Sequence, residues 1–347
     1  MGGTVNFADW SFSWSIPVLS GGGGLRIERA RFRGTSVLFE ATQPFVLVPY
    51  HGDAPTFKDG LNFLACGQGV GFRAMVPTAP NAHAAQIPPS GQAQNDNQYD
   101  PITNPSGAVM VELEPANLIE PARAIIWAKL QAVNYQYVQL WEFRADGSIE
   151  AMVGLAGRLF TFNEPRAGHT HNFYFRLDFD IVTFSNNLVQ ESAHLSNAPG
   201  ADITHDLPLE THRTFDPVTR TTWRVLNKTP KPNGKRRSYE LVPGSNGSPD
   251  GTYSSADLWV VRFDATQDGS HVACKDTVLS NQYESGQGVD GEDVVVWYCL
   301  REHHAPRQVG EETRVVPYEF HGFHLKPRDF LDDTPTNLYP TSPPSPL

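Results

Sequence analysis

Short runs of β-branched and aromatic residues, each closed by a cluster of Gly, Pro, Asn or Asp, recur along the chain, and long helical periodicities are hard to find. Runs of this kind bury alternate residues on the face of a sheet rather than a stripe along a helix. They comprise Ser36–Glu40, Phe45–Val48, Ala108–Leu113, Tyr137–Phe143, Ile149–Val153, Phe173–Phe184, Thr221–Leu226, Ser238–Val242, Leu258–Phe263, Val294–Leu300 and Thr313–Glu319. Between two of them, Ala145-Asp146-Gly147 reads as a hairpin closed by Asp-Gly. The 29 Gly and 28 Pro of the 347 residues make about 16%, against an average near 12%. The spacing predicts an all-β chain built as a large antiparallel sandwich, not alternating βαβ units.

Charge and composition exclude several classes of function. With 27 Lys+Arg against 38 Asp+Glu the net charge is −11, which opposes binding to nucleic acid or an anionic membrane. Aromatic residues make up 11% and charged residues 19%, enough apolar material for a large core. No apolar run approaches the roughly 20 residues that span a bilayer, and the opening residues, MGGTVNFADW, lack the pattern of an export signal. A cytoplasmic location is the expectation. Cys66, Cys274 and Cys299 allow at most one bridge. The sequons at Asn227 and Asn246 matter only on a secretory route.

Three segments read as loops: Thr78–Ser106, the basic Asn227–Arg237, and the proline-rich Asn337–Leu347. The basic segment lies between two strand patterns, which makes it a candidate hairpin arm. A single domain over residues 1–340 with a proline-rich tail at 341–347 is the expected organisation.

The sharpest local signal is His169-Thr170-His171, which opens a strand-like alternation through Asp178. On a strand, residues i and i+2 share a face, so both imidazoles can reach one metal ion. Two surface histidines would satisfy the same pattern. Glu302-His303-His304-Ala305-Pro306-Arg307 follows an apolar strand and can add a third imidazole. Three imidazoles without a thiolate suit Cu(II) or Zn(II). Asn134-Tyr135-Gln136-Tyr137, continued by Trp141 and Phe143, would by itself be an aromatic core strand.

In order and spacing these stretches resemble the catalytic domain of the copper-containing amine oxidases. That family carries Asn-Tyr-(Asp/Glu)-Tyr, then His-x-His before Arg-Leu-Asp, then His-x-Pro-Arg. The counterparts here are Asn134–Tyr137, His169–His171 with Arg176-Leu177-Asp178, and His304–Arg307. Val48-Pro49-Tyr50, Asp257–Arg262, Asp290–Trp297 and Gly322–Pro327 extend the likeness over most of the chain.

The resemblance implies a β supersandwich and copper held by His169, His171 and His304. It further implies that Tyr135, preceded by Asn134, is converted by copper and O₂ to topaquinone. Tyr50 would donate a hydrogen bond to the quinone. Asp59, in Phe57-Lys58-Asp59-Gly60, would be the catalytic base, with Asp53 as the alternate. The implied reaction is oxidative deamination of a primary amine to an aldehyde, with release of ammonia and hydrogen peroxide, in a homodimer that exchanges hairpin arms. A peripheral metal site would fall at Asp178 and Asp293.

The chain departs from the family pattern in four places. Gln136 stands where the family has an acid, Leu130–Val133 lacks its threonine, the stretch around Asp59 is short, and Gln308-Val309-Gly310 replaces an acidic pair. Two other readings therefore accompany the first. One is a copper enzyme on this scaffold whose Tyr135 stays a tyrosine and which does other O₂ or Lewis-acid chemistry on a specialised metabolite. The other is a non-catalytic sandwich that binds a partner or glycan.

Overall fold

The computed structural model describes residues 2–16, 23–50, 56–61, 69, 71–75, 109–132, 135–157, 168–195, 202–249, 254–270, 272, 283–304 and 316–332. Among these residues there is no helix. The strands run β1 (Gly2–Phe7), β2 (Trp10–Ser15), β3 (Arg26–Phe32), β4 (Thr35–Pro49), β5 (Thr56–Gly60), β6 (Arg73–Met75) and β7 (Val109–Glu114). They continue as β8 (Arg123–Ala132), β9 (Tyr135–Arg144), β10 (Ile149–Gly157), β11 (His169–Phe179), β12 (Asn187–His194) and β13 (Asp202–Leu207). The last are β14 (Thr211–Arg213), β15 (Thr222–Pro230), β16 (Arg236–Val242), β17 (Leu258–Arg262), β18 (Val294–His304) and β19 (Val316–Arg328).

These strands build two antiparallel sheets. The first has the order β1-β2-β3-β4-β11-β18-β17-β14, with β5 on the free half of β4. The second has the order β13-β12-β15-β16-β19-β10-β9-β8-β6, with β7 on β8. The expected sandwich is what forms, because alternation along each strand sends one apolar row into a common core. Phe12 stacks on Phe143 at 4.1 Å across the sheets, and Phe175 meets Trp141 and Phe323 edge-on.

The central strands are also covered on their outer faces. Trp259, Trp297, Tyr174 and Phe45 pack under Ala256, Val272 and Tyr283 on the first sheet. Trp127, Val138 and Leu140 pack with Met110, Met152 and Phe320 on the second. Coverage of both faces is why β18 opens as an unbroken apolar run, Val294–Leu300, rather than as alternation.

Several details sharpen the sequence reading. Ser36–Glu40 and Phe45–Val48 belong to one long strand, β4. The Asp146-Gly147 hairpin forms as expected, with Gly147 at φ +88°. The Phe173–Phe184 run stops as a strand at Phe179, and the chain then bends, with Val182 and Asn186 at positive φ. The basic segment is not a long arm. It is the tip of the β15–β16 hairpin, and its cations pair within the chain: Lys228 with Asp290, Lys235 with Asp329, and Arg237 with Asp332. Both sequon asparagines are engaged, since Asn227 Nδ2 donates to Ile181 O and Asn246 Nδ2 to Cys299 O, each at 2.9 Å. Residues 337–347, Cys66 and Cys274 lie outside the described residues.

Asn246 belongs to a buried polar cluster behind β18. The Arg301 guanidinium donates to Ser254 Oγ, Asp257 Oδ1 and Ala256 O. Asp257 also accepts from Phe215 N at 2.7 Å. Removing one member of such a pair strands the other charge in a dry interior, which costs about 3–5 kcal/mol. Asp257→Ala is therefore expected to lower the urea midpoint by a corresponding amount, and an unchanged midpoint would refute this account of the cluster.

Candidate active site

β11 sets the site by alternation. His169, His171, Phe173, Phe175 and Leu177 face the core, while Asn172 anchors the other face through Nδ2 to Leu47 O at 3.2 Å. Both histidines are fully buried, and their ring centroids lie 4.9 Å apart. The flanking strands complete a row across the sheet. Tyr50 bridges to His169 on one side, and His304 is register partner to His169 on the other. Glu302 is register partner to His171 in the next row. The His304 side chain lies outside the described residues.

The facing sheet supplies the tyrosines. On β9, Tyr135 and Tyr137 point into the core, and Tyr135 Oη stands 2.8 Å from His169 Nε2. Gln136, between them, belongs to the opposite face and is register partner to Gln131 and Ala156. The departure from the family pattern at this position therefore alters the far side of the sheet and takes no group out of the site. Asn134 lies outside the described residues.

Asp59 reaches the same cluster from β5. Tyr137 Oη donates to Asp59 Oδ2 at 3.1 Å and lies 3.4 Å from His171 Nδ1. Tyr50 stacks on the His169 ring at 4.3 Å and hydrogen-bonds to Tyr135. Tyr50, Asp59, Tyr135, His169 and His171 thus come together, although well over a hundred residues separate the first from the last. The alternate base, Asp53, lies outside the described residues.

The electrostatics of this cluster disfavour a phenolate. Burial pushes Tyr135 well above the usual phenol value, with Tyr50 and Asp59 adding to the shift. Tyr137 is raised too, by burial first and then by Asp59. The site needs a cation to draw the Tyr135 proton away, and its donor set fits copper: two buried imidazoles beside each other and a third histidine in register, with no thiolate.

Sequence reasoning left some neighbours without a role. Tyr137 sat in the motif, but its bridge between Asp59 and His171 depends on how the two sheets stack. His321, on β19 of the facing sheet, brings Nε2 to 2.8 Å from Glu302 Oε2 and ties the sheets together beside His171. Its only signal in the sequence was strand alternation. At the far end of β11, Asp178, Asp180 and Asp293 bring carboxylate oxygens within 4.8 Å of one another. Burial raises Asp178 to about 7, opposed by Arg176 and reinforced by Asp293, and raises Asp293 to about 6.

Comparison with known proteins assigns the family. The family model for the copper amine oxidase enzyme domain matches residues 122–345, and the chain belongs to that family. A primary amine oxidase of Klebsiella aerogenes is 25% identical over 96% of this chain and 53% of its own length. The peroxisomal copper-containing amine oxidase alpha 2 of Arabidopsis thaliana is 24% identical over 96% of this chain and 59% of its own. The chain thus spans little more than half the length of these curated relatives. Among solved structures, the copper-containing benzylamine oxidase of Hansenula polymorpha superposes with a TM-score of 0.69 at 19% identity, covering 97% of this chain and 61% of that one. Tyr50 and Asp59 precede the residues matched by the family model but fall within the span of these longer matches.

Proposed function

We propose that the protein is a copper-dependent oxidoreductase that converts a primary amine, O₂ and water into an aldehyde, ammonia and hydrogen peroxide. His169, His171 and His304 hold the copper, and Tyr135, flanked by Asn134, is the precursor of topaquinone. The observation that carries this reading is the 2.8 Å contact between the Tyr135 hydroxyl and His169 Nε2. Bound copper would favour the phenolate form of Tyr135 and so open its ring to oxidation by O₂, and the resulting quinone would supply the electron sink for amine oxidation.

The other roles belong to the chain's own groups. Asp59 takes the proton from the carbon that bears the amine, and Tyr137 holds that carboxylate toward the site. Tyr50 fixes the orientation of residue 135 through its hydrogen bond, and its ring shields His169. The Asp178, Asp180 and Asp293 carboxylates serve a peripheral divalent cation. The active form is a homodimer.

The test is the mass of the peptide containing Tyr135 after metal-free protein is exposed to Cu(II) and air. Gain of oxygen with loss of hydrogen, together with aldehyde formation from a panel of primary amines, is the expected result. An unmodified Tyr135 in copper-loaded protein would overturn the quinone cycle in favour of a copper enzyme with different chemistry.

A further inference from the structure

Lys58 is the residue beside the site whose position asks for an explanation. It lies in β5, a five-residue strand whose partner among the described strands is β4 alone. Alternation turns its side chain to the outer face of the sheet, while Asp59 turns inward. The lysine is fully buried. Its Nζ donates to Gly269 O at 2.8 Å and Val272 O at 3.1 Å, lies 3.5 Å from Ser270 O, and stands 4.8 Å from the centre of the Phe45 ring. Burial lowers its pKa to about 8, against the pull of the Asp268 carboxylate, so it stays cationic at neutral pH. The backbone is enclosed as well: a Cβ on Gly69 would meet Lys58 O at 1.9 Å.

A short strand held on one edge has a weakly specified register, and a slip of one residue exchanges its two faces. In β5 that slip would replace the Asp59 carboxylate in the site with an ammonium group. The outer face opposes it, because there three carbonyl oxygens and an aromatic ring meet the cation.

We propose that Lys58 is a positioning residue for the reaction: by engaging the Gly269, Ser270 and Val272 carbonyls behind the sheet, it locks the register of β5 and holds Asp59 against Tyr137. This rests on the reading of Asp59 as the base. The two can be tested apart, because register has a readout that needs no turnover.

Lys58→Met should leave copper content and quinone yield at wild-type levels. The kcat per quinone should fall about 10- to 100-fold, as expected for a displaced reacting group, with KM changed by less than about threefold. In the metal-free variant, amide exchange across residues 56–60 should speed up by about tenfold or more while β11 stays protected. Lys58→Gln, which keeps two of the three N–H donors, should show smaller changes in the same direction and serves if the Met variant fails to fold. Wild-type kcat together with wild-type exchange in β5 would overturn the proposal, as would a loss confined to quinone yield, which a merely structural role would produce. Loosened β5 amides alongside a fully active Asp59→Asn enzyme would sustain the register lock and refute Asp59 as the base.

Discussion

Tyr135→Phe is expected to abolish quinone formation and reduce amine oxidation to background while leaving copper stoichiometry intact. The substitution removes one hydroxyl and keeps the ring that packs in the core beside His171. The bonds lost are the 2.8 Å contact with His169 Nε2 and the hydrogen bond with Tyr50, so stability should change by about 0.5–1.5 kcal/mol for each. In the proposed site the metal donors are imidazoles and do not include the phenol, which separates metal binding from cofactor formation. Copper analysis and visible absorbance on the same sample would check both halves. A variant that still forms the chromophore, or still releases aldehyde, would exclude Tyr135 as the precursor.

Asp59→Asn should show the complementary pattern, with the quinone formed and its reduction by amine slowed. Removing a positioned general base costs about 10²–10⁴-fold in rate. Asparagine is nearly isosteric and its Oδ1 can still accept from Tyr137, so the site should keep its shape and the loss should report chemistry. Stopped-flow bleaching of the quinone by a primary amine would measure it directly. A full-rate Asp59→Asn enzyme would move the role to Asp53, and the same substitution there becomes the decisive one.

The pair of predictions also shows why Gln136 misleads when read as a letter in a motif. In sequence it adjoins the reacting tyrosine and replaces an acid. In the fold it belongs to the face of β9 opposite Tyr135 and Tyr137, across from Gln131. Lys58 is the converse case. A lysine next to the proposed base reads as a charge near the site, whereas its ammonium group is bonded to Gly269 and Val272 behind the sheet.

What the sequence by itself determined is the part of this protein carried by local period and residue chemistry. Alternating apolar runs and frequent turns specify strands. His169 and His171 two apart specify one shared face, and imidazoles without a thiolate are the donor set that suits Cu(II) or Zn(II). Those properties follow from geometry within a few residues and need no partner strand. Tertiary structure alone decided which rows meet. The register of β4, β11 and β18 brings Tyr50, His169 and His304 abreast, and the stacking of the two sheets lays Tyr135 on His169 and Tyr137 between Asp59 and His171. The physical reason is that register and stacking are set by the summed burial of side chains on both sheets, a long-range quantity that no short window of residues contains.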